Sequence, residues 1–165
     1  MQDVVCNASP LIFLAKIKRL NLLDTCVLHI PSQVESEIRK GFKRKKEDAK
    51  LIINYLKQHK YISTKVAILK DMPDFLGDGE KAVISLAIRE KIERVFIDEA
   101  KARTVAKLNG LYPKGTLGIL WDSYKMGNID GTTLEALSFE LLEKGYRIKE
   151  EVFIEFLKKL KGADS

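Results

Sequence analysis

The chain has 165 residues, of which 45% are hydrophobic and 32% are charged. This length and composition suit one globular domain with an ordinary core, and they exclude wholesale disorder. No apolar run approaches the ~20 residues that a membrane helix needs, and the N-terminus lacks a basic region and a cleavage site. We therefore expect a single domain, without a membrane segment, in the cytoplasm.

The 29 Lys and Arg residues exceed the 23 Asp and Glu residues, which gives a net charge of +6 and a pI of about 9.2. Such a charge permits binding to a polyanion without requiring it. The excess is concentrated in one basic segment, residues 39–46, whose cations are Arg39, Lys40, Lys43, Arg44, Lys45 and Lys46. A solvated loop accounts for such a run, but beside a site of phosphodiester chemistry it predicts contacts with phosphates.

Cys6 and Cys26 both lie in strand-like apolar surroundings, which predicts buried and reduced thiols. A zinc site is disfavoured, because no CxxC pair is present and His29 and His59 are isolated. The sequence also lacks a glycine-rich phosphate loop and any recognisable pairing of a histidine with a nucleophile. A nucleotide-binding protein and a serine or cysteine hydrolase are therefore disfavoured.

Short apolar strands alternate with helices along the chain. Strands are predicted by the apolar, β-branched runs at 3–6, 27–30, 61–66 and 94–97. Helices are predicted by apolar residues three or four positions apart, beginning near residues 10, 32, 49, 80, 102, 116, 133 and 152. This alternation predicts an α/β fold of three layers, in which a central and mostly parallel sheet lies between helices.

Local signals predict where some of these helices begin and end. Ser9 is the expected N-cap of the first helix, because Pro10 then takes the first helical position. Gly41 is the expected end of the second helix. The last helix is expected to bury one apolar face, made of Val152, Phe153, Phe156, Leu157 and Leu160.

Two predicted strands run directly into residues that can bind a metal or form hydrogen bonds, Asn7 and Asp98. In open parallel sheets, ligands collect at the carboxyl ends of the strands. Asn7 is also typical of a turn that bonds its own backbone, and Asp98 is also typical of a helix N-cap. For each residue both interpretations stay open.

Two further acids, Glu37 and Glu80, lie at the apolar faces of predicted helices. A nearby cation would explain Glu37, and the dipole of its helix would explain Glu80. A shared explanation for both acids and Asp98 is a carboxylate cluster that binds Mg²⁺ or Mn²⁺, because hard cations prefer oxygen ligands. Such an ion would activate water against a phosphodiester, while the basic segment held the rest of a polyanion.

Four segments resemble, in order, the sequence motifs of PIN domains. The segments are Val4–Ile12 (VVCNASPLI), Pro31–Ile38 (PSQVESEI), Gly77–Ala87 (GDGEKAVISLA) and Phe96–Arg103 (FIDEAKAR). The family's acids in the last three motifs fall on Glu37, Glu80 and Asp98. Residues 115–129 resemble the continuation seen in a prokaryotic PIN-like subgroup. The motif-bearing part is thus about 3–129, and about 130–162 forms a helical C-terminal part of the same predicted domain.

The resemblance implies a metal-dependent endoribonuclease, often the toxin of a toxin–antitoxin pair, that hydrolyses single-stranded or structured RNA. It implies that Glu37, Glu80 and Asp98 bind Mg²⁺ or Mn²⁺ and position the attacking water, with Asn7 completing the catalytic set. Thr116 matches a recurrent hydroxyl near the family's site. The expected substrate contacts are Thr116, Lys43, Arg44, Lys45 and Lys46. A homodimer and an antitoxin protein are the expected protein partners.

The first acid of the family pattern is replaced by Asn7. An amide oxygen still coordinates a cation but brings no charge, so we expect weaker metal binding and attenuated activity. Asp3 lies four positions back, more than ~12 Å along an extended strand, and does not replace that acid. Asp78 and Glu99 are the candidates to contribute in its place, although each is also typical of a helix cap or of the first turn of a helix. Three interpretations stay open: a slow enzyme, a non-catalytic PIN-like protein that binds RNA or a protein partner, and a nuclease silenced by substitution of this residue.

Overall fold

The computed structural model describes residues 1–164, except for the side chain of residue 164. Its centre is a five-stranded sheet in which every pair of neighbouring strands is parallel. The strands are β1 (Gln2–Cys6), β2 (Cys26–Pro31), β3 (Tyr61–Thr64), β4 (Arg94–Phe96) and β5 (Tyr112–Lys114). They lie in the order β3-β2-β1-β4-β5, so the chain builds outward in one direction from β1 and then in the other.

Helices flank this sheet. They are α1 (Ala8–Lys16), α2 (Ser32–Lys43), α3 (Glu47–Gln58), α4 (Asp78–Glu90), α5 (Ala100–Leu108), α6 (Thr116–Lys125), α7 (Gly131–Glu143) and α8 (Glu150–Asp164), with a 3-10 helix at Leu20–Leu23. The predicted α/β fold with a parallel central sheet is therefore confirmed. Within residues 1–164 we find no helix that is both long enough and apolar enough to span a bilayer.

Strand β1 occupies the middle of the sheet because it is apolar on both faces. Val4, Val5 and Cys6 are at most 1% exposed. Val5 is paired with His29 on one side and with Val95 on the other. A strand covered on both faces favours such a continuous apolar run over an alternating one. The order of strands reverses between β1 and β4, which is where open parallel sheets form their ligand sites.

Two predictions about strands differ from the structure. β5 was not predicted, because Pro113 breaks its apolar pattern; it is an edge strand, where proline is tolerated. β3 ends at Thr64, two residues before the predicted end at Val66. Cys6 is buried as predicted, whereas Cys26 is only half-buried, and both thiols are free.

The predicted N-cap at Ser9 is wrong. Helix α1 begins at Ala8 with Asn7 at the N-cap position, and the Asn7 side chain makes no capping hydrogen bond. The backbone N–H of Asn7 still bonds to the carbonyl of Phe96 at 3.0 Å, so strand pairing continues to the residue at which the helix starts. Pro10 remains within the first turn, where a missing N–H costs no helical hydrogen bond.

Two further predictions about helices are also wrong. Helix α2 continues through Gly41 to Lys43. A β-carbon at Gly41 would lie 3.2 Å from Cβ of Ala49, so this glycine allows close packing of α2 on α3 and does not end the helix. On α8, Val152 is 52% exposed and is not part of the buried face. Phe153 and Leu160 are buried as predicted.

Candidate functional site

Asn7 and Glu37 converge on Gly79, in the first turn of α4. A β-carbon on Gly79 would lie 3.0 Å from Oδ1 of Asn7 and 3.6 Å from Oε2 of Glu37. The absence of a side chain at this position therefore allows both oxygens to approach the helix. The end of β1, the middle of α2 and the start of α4 thus meet at the carboxyl edge of the sheet.

Glu80 is the next residue of α4. Its Oε2 accepts a hydrogen bond of 3.2 Å from the N–H of Gly77, the N-cap residue of this helix. Partial burial raises the pKa of Glu80, and the charges of Glu99 and Glu37 raise it further, against the lowering effect of the Gly77 N–H. Glu80 thus lies in partly buried surroundings, near the charges of Glu37 and Glu99.

These residues line a cavity of about 410 Å³, hereafter the acidic cavity. Its lining includes Asn7, Glu37, Asp78, Glu80 and Lys40. Neither Glu37 nor Glu80 belongs to any ion pair found among residues 1–164. Arg39, a cation two residues from Glu37, instead contacts Glu35 at 3.1 Å. The two carboxylates therefore remain available for a ligand in the cavity.

Asp98 has different surroundings, in which its carboxylate accepts four hydrogen bonds. Ser9 Oγ and Thr116 Oγ1 donate to Oδ2 at 2.7 and 2.8 Å. The N–H of Thr116 and the hydroxyl of Tyr146 donate to Oδ1 at 2.6 and 2.9 Å. Four donors fill the acceptor capacity of a carboxylate. Asp98 is not the N-cap of α5, since Glu99 holds that position.

The structure brings together three of the four predicted catalytic residues. Asn7, Glu37 and Glu80 line the acidic cavity, whereas Asp98 lines a separate groove. Over residues 1–164, no three side chains of the His, Cys, Asp and Glu types are grouped closely enough to hold a metal ion. Mg²⁺ commonly takes only one or two protein carboxylates and keeps several waters. The carboxylates of Glu37 and Glu80 and the amide oxygen of Asn7 therefore fit a weakly bound Mg²⁺ or Mn²⁺ that keeps most of its waters.

Thr116 is fully buried, and its N–H and hydroxyl both donate to Asp98. It supports Asp98 here, in place of the predicted contact with substrate. The remaining predicted substrate contacts are exposed: Lys43 ends α2, and Arg44, Lys45 and Lys46 form the turn into α3. Lys40 lines the acidic cavity and also the adjoining hollow that Lys43 lines, so the basic segment is continuous with the cavity.

Two residues near the predicted acids were not assigned to the site from the sequence: Lys40 was named only as part of the basic segment, and Tyr146 was not named. Lys40 stands three positions after Glu37, and this helical spacing was a usable signal that both face one cavity. Tyr146 carried no such signal, because it lies 48 residues from Asp98 along the chain. Burial and the nearby Asp98 carboxylate raise the pKa of the Tyr146 hydroxyl well above its ordinary value, so it remains a hydrogen-bond donor.

The parallel sheet and the acids at the carboxyl ends of its strands define an α/β domain with an acidic site where the strand order reverses. The sequence model of the PIN domain family matches residues 3–162. The chain therefore belongs to the PIN domain family, which generally includes nucleases.

Two solved structures are similar to this chain. A PilT N-terminus domain protein from the hyperthermophilic archaeon Sulfolobus solfataricus has a TM-score of 0.50 and 15% identity, over 74% of this chain and 93% of that one. A domain of a functionally unknown protein from Methanocaldococcus jannaschii has a TM-score of 0.46 and 16% identity, over 70% and 91% of the two chains. At such identity, the first likeness shows the fold alone. No curated protein matches the sequence significantly.

Proposed function

We propose that this protein is a toxin-like, metal-dependent endoribonuclease of the PIN class, attenuated by Asn7. The observation that carries the proposal is the convergence of Asn7 and Glu37 on Gly79, beside Glu80, in one cavity. This arrangement supplies oxygen donors at the point of the sheet where ligands bind. Membership of a family that generally includes nucleases supports the same reaction class.

In this proposal, Glu37, Glu80 and the amide oxygen of Asn7 would hold Mg²⁺ or Mn²⁺. The ion would supply an acidified water and a positive charge opposite the phosphodiester. Lys40, which lines the same cavity, neutralises a phosphate beside the acids. The exposed cations of the basic segment contact the neighbouring phosphates of the RNA.

The attenuation follows from charge. Affinity for a hard cation rises with the number of charged ligands, and Asn7 contributes none. Asp98, the remaining family acid, is held by four hydrogen bonds and does not line the acidic cavity. Of the four acidic positions of the family pattern, only Glu37 and Glu80 then bring a carboxylate to the cavity, which Asp78 also lines.

The position of Asp98 also favours a second candidate, a non-catalytic PIN-like protein that binds RNA or a protein partner. A carboxylate whose lone pairs are filled by Ser9, Thr116 and Tyr146 contributes to stability and not to chemistry. In either case we propose a cytoplasmic homodimer with an antitoxin protein as a further partner. Exposed apolar side chains such as Phe139 and Ile154 offer surface for a protein contact.

Incubation of a labelled RNA with the purified protein, with Mn²⁺ or with EDTA, tests the proposal. We expect slow cleavage that requires Mn²⁺, disappears in Glu37→Gln and persists in the matched variant Glu135→Gln, since Glu135 is exposed on α7. Cleavage that survives Glu37→Gln would exclude the acidic cavity as its source. Binding of RNA without any cleavage would support the non-catalytic candidate.

A further inference from the structure

A second and larger depression, of about 1200 Å³, lies beside the C-terminal helix α8. It is bounded by the segment that enters α5, by β5 and α6, and by the turn between α7 and α8 together with α8 itself. Of the site residues predicted from the sequence, Asp98 alone lines this groove, and the acidic cavity shares none of its lining. We refer to it as the α8 groove.

The α8 groove carries a surplus of positive charge. Seven cationic side chains line it against four acidic ones, which leaves a surplus of three. Among the acids, Asp122 forms an ion pair with Lys114, and Asp98 is enclosed by its four donors. The cations other than Lys114 are Arg103, Lys107, Arg147, Lys149, Lys158 and Lys159. Their surplus is complementary to a chain of phosphates.

Aromatic rings lie among these cations. Trp121 and Phe156 pack edge to face, with ring centroids 5.9 Å apart, and both line the groove. The Nζ atom of Lys159 lies 4.4 Å from the centroid of the Trp121 ring. Single-stranded nucleic acids are bound by this combination, in which bases stack on aromatic rings and cations follow the backbone.

The α8 groove and the acidic cavity lie at the ends of neighbouring strands. Asn7, which lines the cavity, donates its N–H to the carbonyl of Phe96 at 3.0 Å, and Glu99, three residues after Phe96, lines the groove. Asp98, at the carboxyl end of β4, lines the groove as well. A strand bound along the groove would therefore pass beside the residues that we propose to hold the metal.

We propose that the α8 groove binds single-stranded RNA, with bases stacked on Trp121 and Phe156 and phosphates held by Lys158 and Lys159. This inference rests on the proposed ribonuclease function for the choice of RNA as ligand. It assigns the C-terminal helical part of the chain a task in substrate binding, separate from the contacts proposed for the basic segment.

The test is the affinity for a fluorescent single-stranded RNA of about 12 nucleotides, measured by anisotropy in EDTA so that no cleavage occurs. We expect Trp121→Leu to raise Kd about 5-fold to 100-fold, as loss of one stacked base does. Phe75→Leu, which removes an exposed ring outside the groove, is the matched control and leaves Kd unchanged. Thermal denaturation of each variant establishes that it is folded.

A second variant does not depend on a partly buried ring. Lys158→Gln combined with Lys159→Gln alters two exposed side chains and should reduce the salt dependence of binding, with a log–log slope smaller by about 1.4. Lys161→Gln, on the same helix but outside the groove lining, is its control. An unchanged Kd and slope in both groove variants would overturn the proposal.

The remaining outcomes separate this inference from the proposed function. If polyglutamate displaces the RNA with equal affinity per charge, the surface attracts any polyanion or acidic protein and the proposal of an RNA groove is overturned. If the groove variants weaken RNA binding but no protein cleaves RNA with Mn²⁺, the groove stands and the ribonuclease proposal fails. If cleavage occurs while the groove variants bind RNA normally, the ribonuclease proposal stands and the proposal of an RNA groove fails.

Discussion

The hydroxyl of Tyr146 donates a hydrogen bond of 2.9 Å to Oδ1 of Asp98, across 48 residues of sequence. Tyr146 lies between α7 and α8, so this bond ties the C-terminal helical part to the fourth motif of the PIN domain. The ring of Tyr146 also packs edge to face on Phe13 of α1, with centroids 5.1 Å apart. The acid of the fourth motif is thus held from both ends of the chain.

Tyr146→Phe removes this hydroxyl and keeps the ring. A hydrogen bond to a charged group contributes about 1.5–3 kcal/mol, so we expect a comparable loss in the free energy of unfolding. Urea denaturation measures it. Tyr112→Phe, the same change on an exposed side chain of β5, is the control and should change stability little. Equal effects of the two substitutions would show that the Tyr146–Asp98 bond contributes nothing.

Asn7→Asp adds a carboxyl to the acidic cavity, beside Glu37 and Glu80. Without metal, we expect like-charge repulsion to lower the midpoint of thermal unfolding, because Asn7 is 8% exposed and little water screens it. With Mn²⁺, binding to the folded state should raise the midpoint more than in the native protein. Asn128→Asp, in an exposed turn, should show neither effect. A midpoint of Asn7→Asp that does not respond to Mn²⁺ would argue against a metal in the acidic cavity.

Gly79→Ala tests the close approach around which the acidic cavity is built. Alanine is favoured over glycine in a helix by about 1 kcal/mol, but here its β-carbon would press on Oδ1 of Asn7. We expect this variant to lose the response to Mn²⁺. In Gly118→Ala the nearest atom lies 3.5 Å from the new carbon, an ordinary contact, so this control should be stabilised and unchanged in metal response. Identical behaviour of both variants would show that Asn7 and Glu37 need not lie close to Gly79.

We predict that the difference in the free energy of unfolding between Glu80→Gln and the native protein depends on pH. It is measured in EDTA. Burial and the charges of Glu99 and Glu37 raise the pKa of Glu80 in the folded protein, despite the Gly77 N–H. The folded state then binds the proton more tightly than the unfolded state, so native stability falls as the pH rises through this raised pKa. We expect Glu80→Gln to be more stable than the native protein at pH 7.

The same argument requires the difference to vanish at acidic pH. Below the ordinary glutamate pKa of about 4.3, Glu80 is neutral in both states and glutamine offers no electrostatic advantage. Glutamine still accepts a hydrogen bond from the N–H of Gly77, so this contact at the start of α4 is kept. Exposed Glu135→Gln provides the baseline. An advantage of Glu80→Gln that persists unchanged at pH 4 would contradict the assignment to charge.

The fold could be predicted because its central strands are buried on both faces. Val4–Cys6 and Val95–Phe96 are continuous apolar runs, and each run ends at the carboxyl edge of the sheet. β5 escaped prediction because an edge strand needs neither a full apolar run nor every N–H, and Pro113 is tolerated there. The close packing of Gly41 on Ala49 depends on a second helix, which local signals do not report.

The sequence predicted those residues of the site whose place depends on the end of a strand or the start of a helix. Strand ends and helix starts indicated Asn7, Glu80 and Asp98 from their neighbours alone. Asp98 accepts hydrogen bonds from Thr116 and Tyr146, which lie 18 and 48 residues away in the sequence. No periodic pattern in the sequence predicts contacts at such separations. The same holds for Ser9, whose hydroxyl bonds to Asp98 across 89 residues and not to its own helix.

The central claim is that the acidic cavity is a metal-dependent site of RNA hydrolysis that Asn7 attenuates. Its most direct test is the rate at which Asn7→Asp and the native protein cleave the same labelled RNA with Mn²⁺. We predict cleavage at least about tenfold faster in Asn7→Asp, equivalent to about 1.4 kcal/mol of transition-state stabilisation, and its loss when Glu37→Gln is added. Equal rates, or no cleavage by either folded protein, would contradict the claim.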